Sequence, residues 1–163
     1  MSLEDEAFNA LTAFICFNKN LELISAHPPS GKSYFTDLIR IPSPTQNKTG
    51  NRRAHIDIIF CSKQYLYLCE VKGTAKEANE DIIKLRSIRD YYQLDKLKNF
   101  IIERLTQPYS FLKCCSELVL AIGCTKVDSK LEQDILYIQA EDANSVTLKG
   151  NLSKSISLDF ILL

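Results

Sequence analysis

Two carboxylates and a lysine lie within or at the ends of apolar segments of this sequence, where charged side chains are costly to place. Asp57 lies inside the run RAHIDIIFC, and the tripeptide Glu70-Val71-Lys72 ends the run YLYLCEVK. Such charges are expensive to bury unless something compensates them. A divalent metal ion and a phosphate group would compensate all three, so the residue types point to metal-assisted phosphate chemistry.

The two apolar runs predict a β-hairpin with strands at about 54–61 and 65–72. If the turn is centred on Lys63-Gln64, Asp57 faces Glu70 and His55 faces Lys72. Opposed residues of antiparallel strands project to the same side, about 5 Å apart. We therefore expect both carboxylates and the ammonium group to converge on one patch.

The remaining elements that must position this hairpin can also be predicted from periodicity. The expected order is a helix, strands, a helix, a buried strand and weaker strands, without an internal repeat or a linker. One α/β domain with a mixed sheet, covering residues 1–163, accounts for this order. The elements are a helix at 4–18, capped by Ser2 and Asp5, strands at 21–26 and 34–41, the hairpin, one long helix or two helices with a break up to Pro108, a strand at 117–124, and strands at about 134–139, 144–148 and 156–162.

Composition indicates an ordinary globular protein. The chain has 163 residues, of which 45% are hydrophobic and 25% charged, with a formal net charge of zero. Any surface that binds nucleic acid must therefore be local. No apolar run reaches the roughly 18 residues that a membrane span needs, and no signal peptide opens the chain, so no membrane partner is expected.

The six cysteines are predicted to be reduced thiols in a cytoplasmic protein. They form no CxxC pair, and most lie in apolar runs, where free cysteine packs as a small hydrophobic residue. Their spacing also argues against an iron–sulfur cluster. The six are Cys16, Cys61, Cys69, Cys114, Cys115 and Cys124.

The spacing D-x12-E-V-K across a hairpin, after one helix and before a helix and a buried strand, resembles the PD-(D/E)xK nuclease superfamily. The resemblance covers about residues 3–126 and implies a restriction-endonuclease-like α-β-β-β-α-β core. That core has a mixed central sheet flanked by helices, and here a β-rich tail at about 134–163 would follow it. Isoleucine, not proline, precedes Asp57, as in resolvase-like branches of the superfamily.

The resemblance implies roles at the matching positions. Asp57 and Glu70 would be ligands of Mg²⁺, with Mn²⁺ as a substitute, and the carbonyl of Val71 would be a further ligand. Lys72 would be the catalytic lysine.

The resemblance also points to residues outside the hairpin. Some branches add a glutamate from the first helix, and Glu6 or Glu4 could serve. Others place a catalytic glutamine on the helix after the motif, near the position of Gln93, although the usual tyrosine spacing is missing here.

A loop rich in basic residues precedes the hairpin and contains no acidic residue. Three of its residues are predicted to contact nucleic acid, namely Lys48, Arg52 and Arg53. His55 could touch phosphate, or it could be a surface or hydrogen-bonded histidine. The basic residues of the following helix, including Lys84, are interpreted as a solvated and charge-balanced surface.

Three other motifs are weaker candidates. Gly31-Lys32-Ser33 lacks the glycine and the following helix that a nucleotide-binding loop requires. Asp128-Ser129-Lys130 has the same acidic-x-Lys pattern as Glu70-Val71-Lys72, but it lies in a polar stretch and is interpreted as a solvated turn. Asp37 could be an extra ligand, but a structural role fits it better.

The sequence therefore predicts a magnesium-dependent endonuclease that acts on DNA, in which Lys72 positions a metal-activated water. Cutting both strands with so small a core suggests a homodimer, paired through residues 134–163. A non-catalytic nucleic-acid-binding or assembly subunit of the same fold is the alternative. A third interpretation is an unrelated interaction domain with a rim salt bridge, worth about 1 kcal/mol or less.

Overall fold

The computed structural model describes residues 1–28, 36–42, 44 and 53–161 of the chain. The helices are α1 (Leu3–Phe17), α2 (Asn79–Ile102) and α3 (Ser153–Ile156). The strands are β1 (Glu22–Ala26), β2 (Arg40–Pro42), β3 (Arg53–His55), β4 (Ile58–Cys61), β5 (Tyr65–Val71), β6 (Glu117–Cys124), β7 (Ile135–Asp142) and β8 (Ser145–Lys149). The protein is therefore α/β, as its sequence predicts.

Six strands form one mixed sheet in the order β1-β4-β5-β6-β7-β8. The strands β1, β4 and β5 are antiparallel neighbours, whereas β6 runs parallel to both β5 and β7. Helix α2 supplies the crossover that two parallel strands such as β5 and β6 require. The strands β2 and β3 form a separate two-stranded ribbon.

Both faces of the central strands of the main sheet are buried, because their alternate side chains enter different apolar clusters. Tyr67 packs on the face covered by α1, and Leu68 packs on the face covered by α2. Glu70 has the same strand parity as Leu68, so the sheet directs this carboxylate towards α2, where it pairs with Lys84.

The start of α1 lies against the end of β5. Ser2 Oγ accepts a hydrogen bond from Asp5 N at 3.1 Å, so the predicted capping box is confirmed. A Cβ atom at Gly73 would lie only 3.0 Å from Leu3 Cβ, which favours glycine at this close approach. The approach brings Glu4, in the first turn of α1, to the carboxyl end of β5.

The predicted hairpin strand at 54–61 is interrupted at Ile56 and Asp57. Its first part, β3, pairs with β2 and not with β5, so the prediction that His55 faces Lys72 is wrong. The interruption has a local cause. The side chain of Asp57 accepts the hydrogen bond from Val71 N, and the Asp57 amide donates to the Glu70 side chain, so neither bond is a backbone pair of a strand. The predicted strand at 34–41 lies partly outside the described residues, and β2 begins only at Arg40.

The C-terminal segment differs from the predicted tail. The strands β7 and β8 extend the main sheet, but the strand predicted at 156–162 is wrong, because α3 and a 3-10 turn occupy Ser153–Phe160. The buried residues are Ile156 and Phe160, four positions apart, whereas Leu158 is 73% exposed. That spacing is helical, and a strand would have placed all three side chains on one face.

Four of the six cysteines are core residues, as their apolar surroundings predict. The other two are exposed at the end of α1 and before β6. No described helix is long and apolar enough to cross a membrane. The buried cysteines are Cys61, Cys69, Cys115 and Cys124.

Helix α2 is kinked at Gln93, within the stretch for which the sequence predicts either one long helix or two helices with a break. Gln93 has φ 58° and ψ 173°, a backbone region that is almost restricted to glycine. Such a conformation costs roughly 1–3 kcal/mol in a residue with a side chain.

We therefore expect Gln93→Gly to raise the free energy of unfolding by about 1 kcal/mol, because glycine adopts this conformation without steric strain. Urea unfolding followed by circular dichroism measures the change. Asn99→Gly, at an exposed helical position of α2, is the matched control and should lower stability by about 0.3 kcal/mol, the difference between the helix propensities of asparagine and glycine. Equal losses in both variants would contradict a strained kink.

Candidate functional site

The hairpin register brings the two predicted carboxylates together. Ile58 lies opposite Cys69, and one further step along this register places Asp57 opposite Glu70, as predicted. Val71 N donates to Asp57 Oδ2 at 2.8 Å, and Asp57 N donates to Glu70 Oε2 at 3.3 Å. Each carboxylate is thus held by the backbone of the facing segment.

Glu70 is a buried acid whose charge is only partly compensated. Its side chain is 2% exposed, and its Oε1 forms an ion pair with the ammonium group of Lys84. Lys84 is therefore the direct partner of this buried oxygen. Burial first, and the neighbouring Asp57 second, raise the pKa of Glu70 well above its ordinary value, although Lys84 acts in the opposite direction.

Lys72 connects the first turns of the two long helices. Its Nζ lies 3.4 Å from Asp81 Oδ2 on α2 and 3.7 Å from Glu4 Oε1 on α1. Burial alone would lower the pKa of Lys72, but the charges of Asp81 and Glu4 outweigh it and the pKa is raised. Lys72 is therefore a cation that donates hydrogen bonds and is poorly suited to accept a proton.

The site includes two residues that sequence analysis did not assign to it. Asp81 pairs with Lys72, and Lys84 pairs with Glu70 and also donates to the carbonyl of His55 at 3.2 Å. The assignment of Lys84 to a solvated surface is therefore wrong. The sequence does contain a signal for both residues. Asp81 and Lys84 are three residues apart on the helix that directly follows the hairpin, so they lie on one face of that helix.

The whole cluster contains more negative than positive charge. Its acidic members are all partly or fully shielded from water, and burial is the main cause that raises the pKa of Glu4, Glu70 and Asp81. Four carboxylates and two ammonium groups meet here, an excess of two negative charges when every group is ionised. The members are Glu4, Asp57, Glu70, Asp81, Lys72 and Lys84.

Some predicted site residues lie elsewhere. Glu4 contacts the cluster, whereas Glu6 is exposed, because two residues along a helix turn the side chain by about 200°. Gln93 lies at the kink of α2, twelve residues beyond Asp81 or up to about 18 Å along the helix. Among the described residues, Gln93 forms no hydrogen bond to the cluster, and its catalytic role stays a prediction.

The candidate nucleic-acid contacts are described only in part. Lys48 and Arg52 lie outside the described residues, as does the loop Gly31-Lys32-Ser33. The backbone of Arg53 pairs with Pro42 in the ribbon of β2 and β3. His55 is exposed, and its ring centroid lies 4.9 Å from that of His27.

The two other acidic residues considered as site candidates, Asp128 and Asp37, form hydrogen bonds within the fold instead. Asp128 lies in an exposed loop, as predicted, where it accepts a hydrogen bond from Lys76 N at 2.9 Å. Asp37 is 6% exposed and accepts hydrogen bonds from Thr106 and Tyr109. Asp37 therefore joins two loops of the fold.

The cluster fits a cation whose coordination is completed by water and substrate. Within the described part of the chain, no group of three or more His, Cys, Asp or Glu side chains is arranged to hold a metal ion. Magnesium, however, often uses only one or two carboxylates together with water and phosphate. Asp57 and Glu70 provide such a pair, in which a metal ion would take the place that the Lys84 ammonium group occupies at Glu70 Oε1 in the metal-free protein.

The chain matches no protein-family model, no curated protein and no solved structure. The resemblance to PD-(D/E)xK nucleases therefore depends on the residues of the hairpin and on the order of the surrounding elements. A fold alone does not determine a function, so the functional argument must come from the site.

Proposed function

We propose that this protein is a magnesium-dependent endonuclease of the PD-(D/E)xK type that hydrolyses phosphodiester bonds in DNA. The observation that carries the proposal is the contact of Asp57 with Glu70 at the end of a buried hairpin, with Lys72 two residues further on. A buried carboxylate in contact with a second, partly buried one destabilises a metal-free protein, and a perturbed acid such as Glu70 is typical of a functional site. A cation and a phosphate would relieve that cost.

The side chains of Asp57 and Glu70 would hold the metal ion. The carbonyl of Val71 lies on the same side of β5 as its N–H group, which donates to Asp57, and so it faces the proposed site. When bound, magnesium lowers the pKa of a coordinated water and stabilises negative charge on phosphate oxygens.

The protein's own cations would perform the remaining steps. Lys72 is held by Asp81 and Glu4 and keeps its proton, so it can donate to the attacking water or to the phosphate. Asp81 and Glu4 are positioning residues for this ammonium group. Lys84 compensates Glu70 in the metal-free protein.

Cleavage assays on linear, branched and single-stranded DNA with magnesium or manganese test this function. We expect Lys72→Met to lower the cleavage rate by about a hundredfold or more, because a donor to developing negative charge is lost. Lys130→Met, in the exposed copy of the motif, is the matched control and should leave the rate unchanged. DNA binding without cleavage and without heat of metal binding would support the non-catalytic alternative.

A further inference from the structure

We infer that a cleft between the ribbon of β2 and β3 and the C-terminal end of α2 binds an unpaired nucleotide, so that the preferred substrate is DNA with a single-stranded segment. This inference depends on the proposed function for its substrate. The cleft has a volume of about 290 Å³ and is lined by Leu38, Arg40, Pro42, Phe100 and Arg104. This volume is at the small end of the range of ligand pockets, which suits one nucleotide and not a duplex.

Arg104 forms a flat cationic platform in the cleft. The centre of its guanidinium group lies 3.4 Å from the centroid of the Phe100 ring, and its Nη1 donates to the Phe100 carbonyl at 3.0 Å. Glu103 Oε2 lies 3.8 Å from Arg104 Nη1, but the Arg104 and Glu103 side chains are 46% and 73% exposed, so water screens this pair. A fixed guanidinium plane can stack on an unpaired base and donate to a phosphate.

Arg40 adds a second guanidinium group to the same cleft. It is exposed on β2 and forms no ion pair with any carboxylate of the described residues. Because the whole protein has a formal net charge of zero, this pair of arginines is a local positive surface. Its charge complements a phosphodiester backbone.

The cleft is connected to the cluster through a short series of contacts. Arg40 lies opposite His55 in the ribbon, and the His55 carbonyl accepts a hydrogen bond from Lys84, which pairs with Glu70. Tyr92 Oη donates to the Pro42 carbonyl at 2.7 Å and fastens the ribbon to α2. A strand bound at Glu70 can therefore extend along the ribbon into the cleft.

The planar groups along this path favour an unpaired strand over a duplex. This series of contacts passes through the backbone of His55, whose ring is exposed and lies 4.9 Å from the ring of His27, and the Arg104 platform lies in the cleft beyond. Planar side chains that follow a positive groove bind single strands, because each base then has a free face to stack. Bases within a duplex are already stacked on one another, so such groups would gain only phosphate contacts.

Fluorescence anisotropy in EDTA, where no metal-dependent cleavage occurs, tests the inference with two probes. One is a blunt DNA duplex, and the other is the same duplex with an unpaired extension. We expect the double variant Arg40→Gln/Arg104→Gln to bind the extended probe about tenfold more weakly and the blunt probe equally well. The slope of log affinity against log salt should fall by about 0.7 for each single-strand phosphate contact that is lost.

Two further variants separate stacking from charge and from folding defects. Arg104→Lys retains the charge but not the plane, so it should lose the preference for the extended probe while changing the salt slope little. Lys130→Gln/Lys154→Gln makes the same change of charge at exposed positions outside the cleft and should alter neither affinity. Circular dichroism confirms that each variant is folded.

Equal losses on both probes, or no loss on either, would overturn the inference. Its failure can be distinguished from failure of the proposed function. If cleavage requires Lys72 but the double variant keeps the preference for the extension, the nuclease proposal stands without this cleft. If no DNA is cleaved but the preference is lost in the double variant, the cleft stands as a binding site and the nuclease proposal fails.

Discussion

Replacing Asp57 with asparagine is expected to lower the rate of magnesium-dependent DNA cleavage by about a hundredfold or more. Asparagine has nearly the same shape and retains a carbonyl oxygen that can accept the hydrogen bond from Val71 N. It lacks the negative charge that would hold the metal ion. Cleavage rates at saturating magnesium, together with the melting temperature, separate loss of chemistry from loss of folding.

A matched control is available on the surface of α2. Asp95 is exposed, so Asp95→Asn removes the same charge without touching the cluster and should leave the rate unchanged. If Asp57→Asn cleaves DNA as fast as the unmodified protein, the carboxylate is not a metal ligand. The contact with Glu70 would then have a structural role only.

Glu70→Gln is expected to have opposite effects on stability and on function. In the metal-free protein it should raise the free energy of unfolding near neutral pH, because a neutral amide is less costly to bury beside Asp57 than a second carboxylate. Lys84 would lose its partner, but its side chain is 29% exposed and can reach water. The same variant should lose manganese binding in isothermal titration calorimetry, and with it DNA cleavage.

The pH dependence of stability gives an independent measurement of the same effect. Because the folded-state pKa of Glu70 is raised above the ordinary value of 4.5, the folded protein keeps a proton that the unfolded chain has released. The free energy of unfolding must therefore fall as the pH rises from 4.5 to the raised pKa. Glu4 and Asp81 contribute in the same direction.

Urea unfolding in EDTA across this pH range measures the effect. The curves for the unmodified protein and for Glu70→Gln should converge at low pH and separate as the pH rises. Glu103→Gln, at a side chain that is 73% exposed, should follow the unmodified protein. A Glu70→Gln variant that is less stable at neutral pH would show that the ion pair with Lys84 stabilises the fold.

Adding a metal ion should distinguish the unmodified protein from Glu70→Gln by its effect on the melting temperature. A ligand that binds only the folded state stabilises it in proportion to the logarithm of its concentration above the dissociation constant. Manganese should therefore raise the melting temperature of the unmodified protein but not that of Glu70→Gln. In the metal-free protein, Lys72 and Lys84 partly neutralise the clustered carboxylates, because each ammonium group contacts carboxylates of the cluster.

Local sequence patterns were sufficient for the central part of the fold. The extent of α1, its capping box, and the strands β5 and β6 follow from periodicity and local hydrogen bonding. The opposition of Asp57 and Glu70 follows from the short turn between two apolar runs, because turn length sets the register of a hairpin. The sequence by itself thus determined which two carboxylates meet.

Only the tertiary structure decided which cations meet them. Lys84 and Asp81 reach the cluster because Ile82 and Leu85 pack on the sheet and fix the rotation of α2 about its axis. The apolar pattern of a helix shows which face is buried, but it does not show which strand residues that face will meet. Glu4, and not Glu6, contacts Lys72, because the start of α1 lies close to Gly73.

The same limit explains the errors at the two ends of the sheet. The C-terminal segment could satisfy either a strand or a helical pattern, and packing of Ile156 and Phe160 four residues apart selected the helix. At Asp57 the hydrogen bonds of one side chain ended a strand that its apolar neighbours predicted. Local periodicity specifies elements and register, whereas the partners of a buried charge depend on contacts between elements that are distant in sequence.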